Sequence, residues 1–101
     1  MEVYLITMIS IKLSLREIEL LNFSYGLMNI SKNYTIKDNL VEISNNELKN
    51  LDIMFNCVLD TFLREGLCDN DEPNELGIEL EELNQKINHE YVKLNKRKKF
   101  G

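Results

Sequence analysis

The side chains able to do chemistry are few and poorly grouped in this sequence. There is one histidine, His89. It has Glu82 and Lys93 at helical distances but no second histidine and no cysteine at ligand spacing. A structural zinc site takes about four ligands, and a histidine that activates a nucleophile needs an orienting partner. His89 therefore reads as a structural or exposed residue. Cys57 and Cys68 form neither a CxxC pair nor a regular framework, and free thiols in a reducing compartment are the simpler expectation, with a disulfide between them the alternative. Asp69-x-Asp71 resembles the opening of a calcium loop, but Pro73, Asn74 and Leu80 stand where that loop needs a ligand, a glycine and a glutamate. Gly26, Gly66 and Gly77 have no phosphate-loop neighbours. No carboxylate pair is marked as buried, as glycoside chemistry requires. The expectation is a protein that is not an enzyme and carries no metal or cofactor.

Charge is the more informative property. The chain of 101 residues has a formal net charge of −5, which disfavours nucleic acid as a default partner. Asp60, Glu65, Asp69, Asp71, Glu72, Glu75, Glu79, Glu81 and Glu82 face a single base, Arg64, within one stretch. Lys93, Lys96, Arg97, Lys98 and Lys99 then make the C-terminal end basic. A local negative field of this kind speeds encounter with a cationic partner. The partner-binding set read from it is Asp69, Asp71, Glu72, Glu75, Glu79 and Glu82, with Leu67, Leu76 and Tyr91 as apolar anchors. The basic end could instead grip phosphate, although Tyr91 and Phe100 are thin provision for base stacking.

The elements that must position these residues follow from periodicity. Val3 to Leu13 alternates as extended chain; Met8 is a second possible start, which would leave a shorter strand, Ile9 to Leu13. Ser14-Leu15-Arg16-Glu17 is a capping box, and Ile18, Leu21, Tyr25 and Met28 continue it as a helical stripe ending near Asn29. Tyr34 to Ile36 and Leu40 to Ile43 flank a polar turn at Lys37-Asp38-Asn39 and can pair as short strands. Ser44-Asn45-Asn46-Glu47 is a second capping box, followed by Leu48, Leu51, Phe55, Val58 and Phe62, with Cys57 mid-helix as a small buried group. Gly66 is placed to end that helix in a left-handed cap. Leu67 to Asn74 is an acidic loop, and a third helix is expected to begin near Gly77 or Ile78, with the stripe Leu80, Leu83, Ile87, Tyr91 and Leu94. Glu79, Glu81 and Glu82 would fall in its first turns, favourably for the helix dipole.

The pattern Ile11-Lys12-Leu13-Ser14-x-x-Glu17-Ile18 returns as Val41-Glu42-Ile43-Ser44-x-x-Glu47-Leu48. Shared start-of-helix grammar accounts for it; a duplicated strand–helix unit is the other reading. The fold expected is mainly α, a single three-helix domain over residues 1–101 with a small β element near the N-terminus, or else all-α. Residues 95–101 are expected as a flexible basic tail. Glu2 and the charges at Lys12, Arg16 and Glu17 break the apolar N-terminus well short of the roughly 20 residues of a membrane span, so a cytoplasmic protein without a membrane partner is expected.

Glu42-Ile43-Ser44-x-x-Glu47-Leu48-x-x-Leu51, an acid-bearing helix and loop, and Leu76-Gly77-Ile78-x-x-Glu81-Glu82-Leu83 resemble small immunity proteins of bacterial polymorphic toxin systems, including the contact-dependent growth inhibition type. The likeness spans about Val41 to Asn88, and Glu79 stands where those proteins tend to carry Ser or Thr. It implies a protein that binds a cognate toxin domain, often a nuclease, and neutralises it in the producing cell. The alternatives are a small helical regulator that contacts nucleic acid or the transcription machinery through its basic C-terminus, and an oligomer subunit that uses the stripe of the second helix.

Overall fold

The computed structural model describes residues 8–44 and 49–100, with side chains as far as Lys93. Elements follow in the order β1 (Met8–Lys12), α1 (Leu15–Leu27), β2 (Thr35–Lys37), β3 (Leu40–Ser44), α2 (Lys49–Glu65) and α3 (Glu75–Phe100). The expected three helices with a small N-terminal sheet are present. Val3–Thr7 of the expected strand, Asn45–Leu48 of the second capping box, and the side chains of Leu94, Lys96 to Lys99 and Phe100 lie outside the described residues.

The sheet is antiparallel with β3 central, in the order β1-β3-β2. Ile9 pairs with Ile43 and Ile11 with Val41, and all four are buried. Ser10 and Lys12 alternate with them and are exposed, as period-two patterning requires when one face is covered. Ile11 and Val41, equivalent positions in the internal echo, are thus direct cross-strand partners, and each echo strand leads towards a helix. The β2–β3 turn runs through Asp38, at φ 56, a left-handed conformation that a short polar side chain tolerates.

Ser14 caps α1 as expected: its hydroxyl accepts from Glu17 N at 3.1 Å, and Glu17 Oε1 accepts from Ser14 N at 2.9 Å. Met28 is the C-cap, and Asn29 after it holds φ 55. Asn29 N donates to Gly26 O at 3.2 Å and Ile30 N to Tyr25 O at 3.0 Å, the paired bonds of a Schellman cap. After this cap, Tyr25 and Tyr34 meet edge to face with ring centroids 4.8 Å apart. Tyr25 donates to Asn33 Oδ1 and Tyr34 to Asn22 Oδ1, both at 2.6 Å. Asn33 Nδ2 reaches Asn50 O at 3.3 Å, and Asn50 Nδ2 reaches Ser44 O at 2.9 Å. This polar chain fastens the loop after α1 to the start of α2.

The core is made by the inner face of the sheet with Leu21, Tyr25, Leu51, Met54, Val58, Leu80, Leu83 and Ile87. The expected stripes supply most of it, and Cys57 is buried among them. Thr61 and Ser24 are polar yet fully buried; their hydroxyls donate one helical turn back, to Cys57 O and Leu20 O, each at 2.9 Å.

Two expectations about the α2–α3 connection are corrected. Gly66 does not adopt a left-handed cap, since no described glycine has positive φ. Its use is close approach: a Cβ on Gly66 would come within 2.8 Å of Gly77 Cα, and a Cβ on Gly77 would collide with Gly66 O. The third helix also starts earlier than Gly77, because Asn74 caps it, its Oδ1 accepting from Gly77 N at 2.7 Å. Glu75 therefore occupies the first turn, and Glu79, Glu81 and Glu82 fall further along. Helical backbone continues to Phe100, through the segment expected as a flexible tail.

Candidate functional site

The acidic connection between α2 and α3 is braced at its neck and along its length. Asn74 N donates to Gly66 O at 2.8 Å, and Asn74 Nδ2 to Glu65 O at 3.0 Å. Leu67 forms an isolated antiparallel bridge with Pro73. Cys68 N donates to Glu72 O at 2.7 Å, and Asp71 N to Cys68 O at 3.0 Å. Asp71 takes φ 64, and Asn70 Oδ1 accepts from Glu72 N at 3.3 Å. A run of Asp, Asn and Pro thus folds into a small hairpin whose backbone bonds are internal, leaving its side chains outward.

Asp69, Asp71, Glu72 and Glu75 are exposed, and none forms an ion pair among the described residues. Glu79 departs from this group. Arg16 Nε and Nη2 donate to its two carboxylate oxygens at 2.9 and 3.1 Å, a bidentate pair that turns Glu79 towards α1. The hydrogen bond and charge of Arg16 hold the Glu79 carboxyl below the usual range. Glu82 is exposed but lines a different hollow, beside Lys12, Lys86 and His89. Leu67 and Leu76 are half-buried at the loop, Leu76 already packed on the core. Tyr91 also packs on the core, about 24 Å along α3 from Glu75 at the helical rise. Asp69, Asp71 and Glu72 thus lie on the hairpin with Leu67, Glu75 and Leu76 follow in the first turn of α3, Glu79 and Glu82 continue the Glu75 face one and two turns on, and Tyr91 lies far along the helix.

The hollow beside Glu82 has a volume of about 540 Å³ and lies between β1, the start of α1 and α3. Glu17 is its most buried acid, with its side chain 13% exposed, and accepts from Lys86 Nζ at 2.7 Å. Burial alone raises its pKa, but the bonds from Lys86 and Ser14 outweigh that and leave it below 4.5. His89 on the wall is exposed. No group of three or more His, Cys, Asp or Glu side chains among the described residues could hold a metal ion. Both cysteines are free, Cys57 buried and Cys68 exposed on the acidic loop.

Sequence reasoning missed a second surface. Phe55, Leu59 and Phe62 of α2 and Leu80, Asn84 and Asn88 of α3 line a groove of about 360 Å³. A hollow of about 220 Å³, with Asp52, Asn56 and Tyr91 on its walls, shares Phe55 and Asn88 with it. Its one signal in the sequence is that the α2 stripe carries bulky aromatics, Phe55 and Phe62, at the edge of the buried arc. No described helix is long and apolar enough to cross a membrane. No family model matches the chain, and no curated protein or solved structure matches it either.

Proposed function

We propose that this protein is a binding protein of the immunity type, which docks its acidic α2–α3 loop onto the cationic surface of a toxin domain. A nuclease is the kind of toxin that fits, because nucleases carry positive surfaces to grip phosphates. The observation that carries this reading is the cluster Asp69, Asp71, Glu72 and Glu75: exposed, without ion pairs among the described residues, the first three mounted on a backbone-bonded hairpin and Glu75 in the first turn of the helix that follows. Carboxylates held in place by a braced backbone keep their field directed outward and lose little side-chain freedom elsewhere in the loop on docking. A standard interface of about 800 Å² per partner is within reach of a chain of this size. The test is protection on co-expression. The chain should rescue cells producing the toxin domain encoded beside it, and the fourfold variant Asp69→Asn, Asp71→Asn, Glu72→Gln, Glu75→Gln should rescue them poorly. Equal rescue by that variant removes the acidic loop from the interface.

A second reading has one observation in its favour. Since α3 continues to Phe100, Lys93, Lys96, Arg97, Lys98 and Lys99 ride on the far end of a helix, about 33 Å from Glu75 to Arg97. A basic helix end so far from the acidic loop suits a regulator that contacts nucleic acid. Ending the chain after Asn95 separates the two readings. Toxin protection survives the trim under the first, whereas salt-sensitive nucleic-acid binding disappears under the second.

A further inference from the structure

Packing between α2 and α3 stops short of closing one side of the helix pair. Phe55, Leu59 and Phe62 are only half-buried there, beside Leu80 at the floor of the groove. The apolar strip continues outward. Leu63 lies one turn after Leu59, and Ile78 lies three residues before Glu81, on the same side of their helices by the 3.6-residue period. Leu63 is 56% exposed and Ile78 52%. At the other end Val92, four residues after Asn88, is exposed too. Apolar side chains left at the surface along one face mark a surface with a partner rather than scattered exposure.

The polar residues around this strip give the partner's chemistry. Asp52 and Glu81 stand on its walls, and among the described residues no Lys, Arg or His lines either hollow. Asn56, Gln85 and Asn88 supply neutral hydrogen-bonding groups. The groove runs between two long helices, α2 and α3. An amphipathic helix presents apolar side chains at i, i+3, i+4 and i+7, and lays that face into an apolar groove between helices. Lysines or arginines flanking that apolar face would meet Asp52 and Glu81. A second copy of this chain offers a poorer match, since its own copy of the strip is bordered by the same acids.

We propose that the α2–α3 groove is the docking site for a cationic amphipathic helix of the partner protein. This deepens the reading of the chain as a binder of cationic proteins and rests on it. It adds an anchoring surface, with buried apolar contact supplying most of the affinity, next to a loop that supplies attraction at a distance.

The experiment uses the full chain, labelled with ¹⁵N, and a synthetic peptide of alternating Leu and Lys pairs that folds as a cationic amphipathic helix; its Leu/Glu counterpart is the control. The Leu/Lys peptide is expected to bind saturably and to shift the amides of Phe55, Leu59, Phe62 and Asn88, while the Leu/Glu peptide does not bind. Asp52→Lys with Glu81→Lys should weaken binding about tenfold, and Leu63→Ser with Ile78→Ser, which removes apolar contact without adding charge, should weaken it too; all four positions are exposed, and an unchanged far-ultraviolet spectrum shows that the variants fold. Absence of binding, or shifts confined to Asp69, Asp71, Glu72 and Glu75, overturns the groove assignment. The second of these leaves the acidic-loop reading standing, whereas a parent chain that binds the peptide but gives no toxin protection removes that reading and not the groove. A dimer in sedimentation that Leu63→Ser with Ile78→Ser disperses also overturns it, because the occupant is then a second copy.

Discussion

Gly66 and Gly77 touch backbone to backbone, and this contact closes the neck of the acidic loop. A methyl group on Gly77 would strike Gly66 O, and backbone does not yield as a flexible side chain does. Gly77→Ala is expected to cost about 2 kcal/mol or more, the upper part of the range for overpacking. Urea unfolding checks it through a lowered midpoint at unchanged slope. A variant as stable as the parent would show that the two helices separate there easily.

Glu17 should make stability depend on acid. Its folded pKa lies below 4.5 because Lys86 and Ser14 bond the carboxylate. Its contribution is therefore fully present above about pH 4.5 and is lost as pH falls through the lowered folded value. Glu17→Gln keeps the shape and removes the charge, so unfolding midpoints of variant and parent should converge as pH falls through the lowered folded value. Parallel curves across that window would mean that the Lys86 contact contributes nothing.

The two thiols should differ sharply in reactivity. Burial, with the charge of Asp60, pushes the Cys57 thiol up to about 11, whereas Cys68 is exposed. Ellman's reagent at about pH 8 should titrate one thiol quickly in the native chain and the second only after denaturation, because attack requires an accessible thiolate. Two fast thiols would place Cys57 outside the core.

Asn84 occupies a core-facing position of α3. Its Nδ2 donates to Phe55 O at 3.3 Å, while its Oδ1 is buried without a donor among the described residues. An unmatched buried acceptor costs roughly 1–3 kcal/mol. Asn84→Leu, with the same branched outline and no polar atom, should raise stability by about 1 kcal/mol. A higher melting temperature is the readout, and a lower one would show that the oxygen is satisfied.

Much of the fold was legible because its signals are local. The Ser14–Glu17 box, the alternation of Ile9 and Ile11, the Lys37-Asp38-Asn39 turn and the α3 stripe each follow from neighbouring residues. What sequence reading missed depends on contacts between distant segments. Gly66 looks like a helix cap until Gly77 is seen against it, while the left-handed cap belongs to Asn29, where an asparagine after an apolar stripe was the available cue. Asn74 looked like loop, yet its side chain starts α3. For the candidate site, the run of carboxylates was plain, but the pairing of Glu79 with Arg16 joins residues 63 positions apart and is invisible to any local pattern. The α2–α3 groove is set by how two helices cross, which no single stripe encodes.

Attraction of a cationic partner by the loop carboxylates is the centre of this account, and the rate of association with a partner captured from the native host measures it most directly. For the parent chain the rate should be high and fall steeply with added salt. Neutralising Asp69, Asp71, Glu72 and Glu75 together should lower it about tenfold or more at low ionic strength and flatten its salt dependence. Identical rates and identical salt dependence for parent and neutralised chain would contradict the account.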